Sequence, residues 1–375
     1  MASAKGRDAT YDVARGIGMT LVIYGHLLEA LFPARPDLGK PFIDSAFLQW
    51  QVVYSFHMVL FFFISGAVNR SLPNKAWPDV LRGSLRLLAL VWVVHLIGIF
   101  FVIAFGYAPD ARKSFYDGAV AVLDPIIEGS SWSIGVLWFL TSLCFVQILA
   151  YFVLRRTTSF AVVIAAIAIG IGAMYAPNYF LFRSWFPGLA FFVMGFLMTK
   201  WNVKLPVWLW LPLVPLLVWL APLNTGCHFT LVRSCYDVGP GLFGVWMFAG
   251  IYGFIPLFYL SGILGALAVV SLSRGLARFQ ASKVFVYMGQ NSLNLFIVNG
   301  FVAVFLSPII ATIPLPKLTV FHYVALFVAI VGAHLIAIMA LKPILDLIDK
   351  ASIIISNALT ELLTGRQQVA ASKIP

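Results

Sequence analysis

Stretches of about twenty apolar residues recur along nearly the whole chain, the length a helix needs to cross the hydrocarbon of a bilayer. With no water in that layer to satisfy backbone groups, such segments have little choice but helix. The 375 residues are 61% hydrophobic and only 10% charged, against about 25% charged in a soluble domain. The fold class expected is therefore all-α: a polytopic transmembrane helical bundle of about ten spans. They fall near 10–32, 46–69, 83–106, 133–154, 158–176, 182–199, 206–222, 245–272, 284–308 and 319–345. The first apolar stretch carries Asp12 and Arg15 and lacks a small-residue cleavage site, so no signal peptide is expected.

Orientation follows from Lys and Arg in the short loops. With the N-terminus cytoplasmic, only Arg35, Lys40, Arg112, Lys113, Arg183, Arg233 and Lys317 of the 25 Lys and Arg fall outside. Both termini are then expected in the cytoplasm. The formal net charge of +11 reflects these basic inner loops rather than nucleic-acid binding. Residues 1–345 form the expected transmembrane domain. Residues 346–375 form a cytoplasmic tail whose start, 346–364, suits an amphipathic helix at the inner membrane face.

The first span carries charge that a lipid-facing helix would not tolerate. Arg15 and His26 are eleven residues apart, roughly 20° past three full turns and about 16 Å along the axis. They share one face, with Asp12 and Glu29 within about 60° of it. This stripe is the expected wall of an active site. His57, in the second span after Tyr54, sits at matching depth, so two imidazoles can share one cavity. Imidazole accepts and returns a proton near neutral pH. His95 and His334 have no charged neighbour on their own helices and read as structural. His228 and His322 lie in or near outer regions, and nothing singles them out. No ligand spacing suggests a metal.

Arg82 and Arg86 share a helix face at the inner end of the third span. With Arg15 they could bind phosphate through bidentate forks, or serve as ordinary inner-face anchors. Trp138 sits in the outer part of the fourth span. Residues 288–300 bring Gln290, Asn291, Ser292, Asn294 and Asn299 into the ninth, either as a polar lining or as interhelical hydrogen bonds. Cys227 and Cys235 in the outer loop 223–240 can form a disulfide in an oxidising compartment. The long loop 107–132, with Asp110, Asp117, Asp124 and Glu128, is either a short interfacial helix or a solvated connector.

Together these stretches resemble the acyltransferase-3 family of integral membrane acyltransferases. The resemblance rests on Asp12-x-x-Arg15-Gly16 followed by His26, on Phe56-His57-Met58 running into Phe61-Phe62-Phe63-Ile64-Ser65-Gly66, on Arg82 and Arg86, and on Leu137-Trp138-Phe139-Leu140. Gly289-x-Asn291-Ser292-Leu293 is a looser match. Where family members often have Tyr and then His late in that last motif, this chain has Phe296 and Asn299. The soluble hydrolase-like domain that many members carry after the membrane part is not expected.

The resemblance implies transfer of an acyl group, commonly acetyl, from cytosolic acyl-CoA to a carbohydrate. Arg15, Arg86 and Arg82 would hold CoA phosphates. His26 would act as general base on the acceptor hydroxyl, with Glu29 or His57 orienting it. Tyr54, Ser65 or Asn291 would stabilise the oxyanion, and Asp12, Trp138 and Ser292 would line the substrate path. In a variant, His26 is the nucleophile and forms an acyl-imidazole. The expected partners are membrane lipid, an exopolysaccharide or lipid-linked oligosaccharide acceptor, and a polysaccharide synthesis machinery, in a bacterial inner membrane. The competing classes are a transporter or flippase, since broken helices and midplane ionisable residues suit one too, and a structural subunit of an export complex.

Overall fold

The computed structural model describes residues 9–34, 40–104, 122–131, 133–177, 179–224, 245–312 and 320–365. Cys227, Cys235, His228, residues 105–121 of the long loop and the tail 366–375 lie outside the described residues. Those described form a helical bundle with a single isolated β-bridge and no strand. In chain order the helices are α1 (Thr10–Ala34), α2 (Lys40–Tyr54), α3 (His57–Val68), α4 (Trp77–Ala104), α5 (Trp138–Arg156), α6 (Ala161–Met174) and α7 (Phe182–Lys200). There follow α8 (Trp210–Leu220), α9 (Ile255–Leu276), α10 (Lys283–Gln290), α11 (Ser292–Thr312), α12 (Val320–Ala340) and α13 (Lys342–Thr364).

Among the described residues, six segments are long and apolar enough to cross a membrane: Ser45–Val68, Trp77–Phe101, Gly135–Arg156, Phe182–Lys200, Ile255–Leu276 and Tyr323–Ala340. Three shorter apolar helices accompany them. The chain is a multi-pass membrane protein. Its centre is α1, which packs against α2, α3, α9, α10, α11 and α12 and buries Val13, Ala14, Met19, Val22, Ile23, Leu27 and Leu28.

Three segments read from the sequence as continuous spans are interrupted. The second breaks at Ser55 and Phe56. The Ser55 hydroxyl donates at 2.7 Å to the Val52 carbonyl, and the Val53 carbonyl accepts from both Phe56 N–H at 3.2 Å and His57 Nδ1 at 2.9 Å, so side chains help satisfy the acceptors at the break. Phe56 packs on α9 at Gly265, where a Cβ would fall 2.1 Å from the Phe56 ring. The eighth begins only at Ile255; residues 245–254 instead form a tight turn with Trp246 bridged to Ile251 and Gly250 and Gly253 at positive φ. The ninth divides at Asn291, between α10 and α11.

Two helix pairs touch backbone to backbone through glycine. A Cβ at Gly16 would lie 2.1 Å from the Phe285 carbonyl oxygen, and one at Gly289 would lie 1.8 Å from that of Asp12. Four residues forward on α10 thus match four back on α1, so the two helices run antiparallel. The α3–α7 pair repeats the device, with Gly66 against Phe192 and Gly195 against Phe63, each at 1.9 Å. In lipid no hydrophobic effect drives helices together, and small residues that admit close approach do much of that work.

The last helix starts at Lys342, four residues earlier than the sequence suggested, and lies along α4, where Asp349 pairs with Arg86. Its buried stripe is Leu345, Ile348, Ser352, Ser356 and Thr360. Each hydroxyl bonds to a carbonyl one turn back, at 2.7–2.9 Å. Ile344, Leu347, Ile354, Leu362 and Leu363 point away from the bundle.

Gly66→Ala and Gly195→Ala should each destabilise the detergent-purified protein by about 1–3 kcal/mol, the usual cost of overpacking. Gly172→Ala, on α6 with nothing within 4 Å, should be neutral or stabilise by up to about 1 kcal/mol. Thermal unfolding of the three variants checks the contrast, and equal midpoints would contradict the glycine crossings.

Candidate active site

The stripe read on α1 divides between the two ends of that helix. At the end away from the basic loops, His26 and Glu29 open into a cavity of about 510 Å³. Tyr54, His57, Met58, Gly135, Val136, Trp138, the Val245–Phe248 turn, Phe296, Gly300, Ala303 and Val304 complete its wall. The polar groups gather on one side of a largely apolar space, the usual make-up of a small-ligand site.

Glu29 holds these groups together. The Tyr54 hydroxyl donates to Glu29 Oε2 at 2.6 Å, and His26 Nδ1 lies 3.3 Å from the same oxygen. A carboxylate only accepts, so the His26 contact places a proton on Nδ1 and leaves the Nε2 lone pair available. The side chains of His26 and Glu29 keep 21% and 41% of their exposure, so the pair faces the cavity rather than lipid-packed core. His57 is fixed in the same tautomer by a different acceptor, the Val53 carbonyl. The Tyr54 and His57 rings are 4.7 Å apart at 56°.

Local sequence explains this placement. The helix break at Ser55 and Phe56 turns both Tyr54 and His57 into the cavity. Gly25, beside His26, makes room for Tyr54: a Cβ there would come 2.8 Å from the Tyr54 ring. Trp50, one turn earlier on α2, packs at 4.6 Å against Tyr54 with the rings tilted by 36°, and meets Trp246 edge-on at 6.1 Å. This aromatic ladder steadies the tyrosine from behind. The Tyr54 proton is engaged by Glu29, so Tyr54 holds the carboxylate rather than standing ready for an oxyanion.

The remaining residues expected at a site lie elsewhere. Ser65 is eight residues along α3 from His57, about 12 Å down the axis, outside the cavity lining, and its carbonyl accepts from Asn69. Asp12 is buried at the opposite end of α1, 3.6 Å from Arg15 and 3.5 Å from the Gln290 amide. Asn291 closes α10 by donating to the Tyr287 carbonyl at 2.9 Å, and Ser292 starts α11; neither lines the cavity. The antiparallel course of α10 explains this, since it carries the amide-rich segment back toward the end of α1 that holds Asp12. Arg82 pairs with Asp79 at 3.2 Å and Arg86 with Asp349. None of the three arginines lines any of the three cavities identified.

His95 and His334 take structural places. His95 is fully buried and bonds Ser131 and Ser133 at 2.8 and 3.1 Å, pinning the segment that leads to Gly135 in the cavity wall. His334 bonds the carbonyl one turn back at 2.7 Å. The Val245–Phe248 wall was missed, because its residues are apolar enough to read as part of a span. The signal lay in Gly250, Gly253 and Pro256, which punctuate that stretch.

The family profile for an acyltransferase domain matches residues 8–339. The chain belongs to the acyltransferase-3 family. The match covers the bundle from α1 through α12, including every residue of the cavity wall. Among curated proteins, the acyltransferase-3 chain is 26% identical over 212 residues to Nodulation protein NolL of Mesorhizobium japonicum, an alignment covering 53% of this chain. The chain spans about half the length of that relative. No solved structure matches it.

In ¹⁵N-histidine NMR spectra, His26 and His57 are both expected as Nδ1–H tautomers. Glu29→Gln should shift the His26 Nδ1 signal and leave that of His57, whose acceptor is backbone. Gly25→Val, which drives Tyr54 off Glu29, should also move His26; the His57 signals should shift with the loss of the Tyr54 ring 4.7 Å away, while its Nδ1–H tautomer stays. An Nε2–H form of His26 in the wild type would contradict the geometry.

Proposed function

We propose that this protein is an inner-membrane O-acyltransferase. It moves an acetyl or other short acyl group from cytosolic acyl-CoA to a carbohydrate hydroxyl, such as that of an exopolysaccharide or its lipid-linked repeat unit. The observation that carries this reading is the Tyr54–Glu29–His26 chain of hydrogen-bonding groups in the 510 Å³ cavity. It is the arrangement of a base held by a carboxylate, within a chain that carries an acyltransferase domain.

In this mechanism the acceptor hydroxyl binds beside His26 Nε2. His26 removes its proton as the oxygen attacks the thioester carbonyl. Glu29 keeps the imidazole in the Nδ1–H tautomer and stabilises the imidazolium that forms; Tyr54 keeps Glu29 in place. The tetrahedral intermediate collapses with cleavage of the C–S bond, and the imidazolium returns its proton to the departing thiolate. His57, with Nδ1–H engaged by Val53, offers only an Nε2 acceptor, which suits a neighbouring hydroxyl of the acceptor sugar rather than the one whose proton His26 takes. Trp138 supplies a flat apolar surface suited to a sugar ring. Attack by His26 itself, giving an acyl-imidazole, uses the same Nε2 lone pair.

A transporter or flippase is the second reading, because the broken second span beside a midplane cavity is also a transporter device. Labelled acetyl-CoA separates the two: protein-dependent release of free CoA thiol with transfer or hydrolysis of the label belongs to an acyltransferase, whereas a carrier leaves the thioester whole. His26→Ala should lower turnover by roughly 10²–10⁴-fold, the contribution of a positioned general base, while eluting from gel filtration as the wild type does. Undiminished turnover by a folded His26→Ala protein would end this assignment.

A further inference from the structure

The inner face carries a second cavity that the chemistry above does not use. It measures about 770 Å³ and is lined by Arg70, Lys75, Arg155, Arg156 and Lys200 with Asn74, Thr157 and Thr158. The loop between α3 and α4 and the C-terminal ends of α5 and α7 meet there. Leu154, Phe196 and Pro73 are its only apolar residues among those described. A smaller cavity of about 110 Å³ shares Arg70 and Thr199 with it and adds Lys204 and Arg274 beside Thr10 and Tyr11 of α1.

Inner-face cations alone are expected of any membrane protein. The pit is set apart by five cations gathered in one concavity, and some of the remaining basic residues are already neutralised. Arg15, Arg82, Arg86 and Lys342 each have a carboxylate within 4 Å. Among the described residues, no carboxylate lines the larger cavity or pairs with its five cations. Two are also held in place. Arg155 donates to the Tyr151 hydroxyl at 2.5 Å with its guanidinium 5.7 Å from that ring, and Lys200 bonds Thr158. Concentrated positive charge with hydroxyl and amide donors in a concave site matches clustered phosphates. The scarcity of apolar lining disfavours a lipid, whose acyl chains need a groove beside the headgroup.

We infer that this basic pit binds a water-soluble ligand bearing several phosphates, and that the ligand is the 3′-phosphorylated nucleotide end of the acyl-CoA donor. The second half rests on the acyltransferase reading. It moves the phosphate contacts away from Arg15, Arg82 and Arg86, whose guanidiniums already face carboxylates.

The test is calorimetric titration of adenosine 3′,5′-bisphosphate into the full-length protein in uncharged detergent. Saturable binding is expected, weakened at least about tenfold in the Arg155→Gln/Arg156→Gln protein, as for loss of a charge-assisted contact. Lys200→Gln provides a second variant should the double substitution fail to fold. Arg278→Gln, an inner-face cation outside the pit, should bind as the wild type does. No saturable binding, or equal loss in all variants, overturns the proposal. So does binding of dioctanoyl-phosphatidylglycerol, rather than the bisphosphate, that responds to the pit substitutions. Bisphosphate binding lost in the pit variants, in a protein that never consumes acetyl-CoA, would keep the pit and end the acyltransferase reading instead.

Discussion

One carboxylate organises the candidate site. Glu29 sits on the central helix of a membrane bundle, where a charge without partners is costly. It is tolerated because two groups share its Oε2 atom, the Tyr54 hydroxyl and the His26 ring. A hydrogen bond to a charged group contributes about 1.5–3 kcal/mol, but only if its donor is held at the right place. Several features of the fold serve that need. The break at Ser55 and Phe56 aims Tyr54 inward, Gly25 lets it approach, and Trp50 backs it. Phe56 fixes the break itself by seating on Gly265 of α9.

The same logic holds the scaffold. The interior of a bilayer offers no solvent penalty to push helices together, so packing must supply the attraction. Gly16 and Gly289 allow α1 and α10 to touch along their backbones, and Gly66 and Gly195 do so for α3 and α7. Three of these four glycines stand in the stretches that carry the family resemblance. Their role is steric, whereas the histidines in the same stretches face the cavity. A motif of this kind mixes residues that set distances between helices with residues that use those distances.

This mixture decides what could be read without coordinates. The alignment of Arg15 with His26 on one face follows from helix geometry alone, and the helix exists as expected. So does the meeting of His26, Glu29 and His57, because two spans joined by a short loop lie side by side. The role of Tyr54 was not legible. A periodic pattern places a residue on a face but says nothing of a helix that stops in mid-membrane. Asn291 and Ser292 read as site residues for a similar reason: nothing in 288–300 reveals that its first part runs antiparallel to α1. Arg82 and Arg86 are legible as a pair on one helix face; that their carboxylates come from Asp79 and Asp349 is not, since Asp349 is 263 residues away from Arg86.

The two cavities lie on opposite sides of the bundle and have opposite characters. One is mostly apolar, with a carboxylate and two imidazoles; the other is polar, with five cations and, among the described residues, no acid. An enzyme that took both substrates from one side would have no need to place such sites at opposite ends of its helices. Separation has a use when the donor is charged and made inside while the acceptor is reached from outside. From His57 to the far end of α3 at Val68 is eleven residues, about 16 Å of helix. A slender arm joining a phosphate cluster to a thioester could bridge that length, and a bulky anion could not. The protein would then hold the phosphates where water screens their charge and admit only the neutral arm and thioester to the interior. The membrane barrier to the charged donor would stay intact while its acyl group passed to the other side.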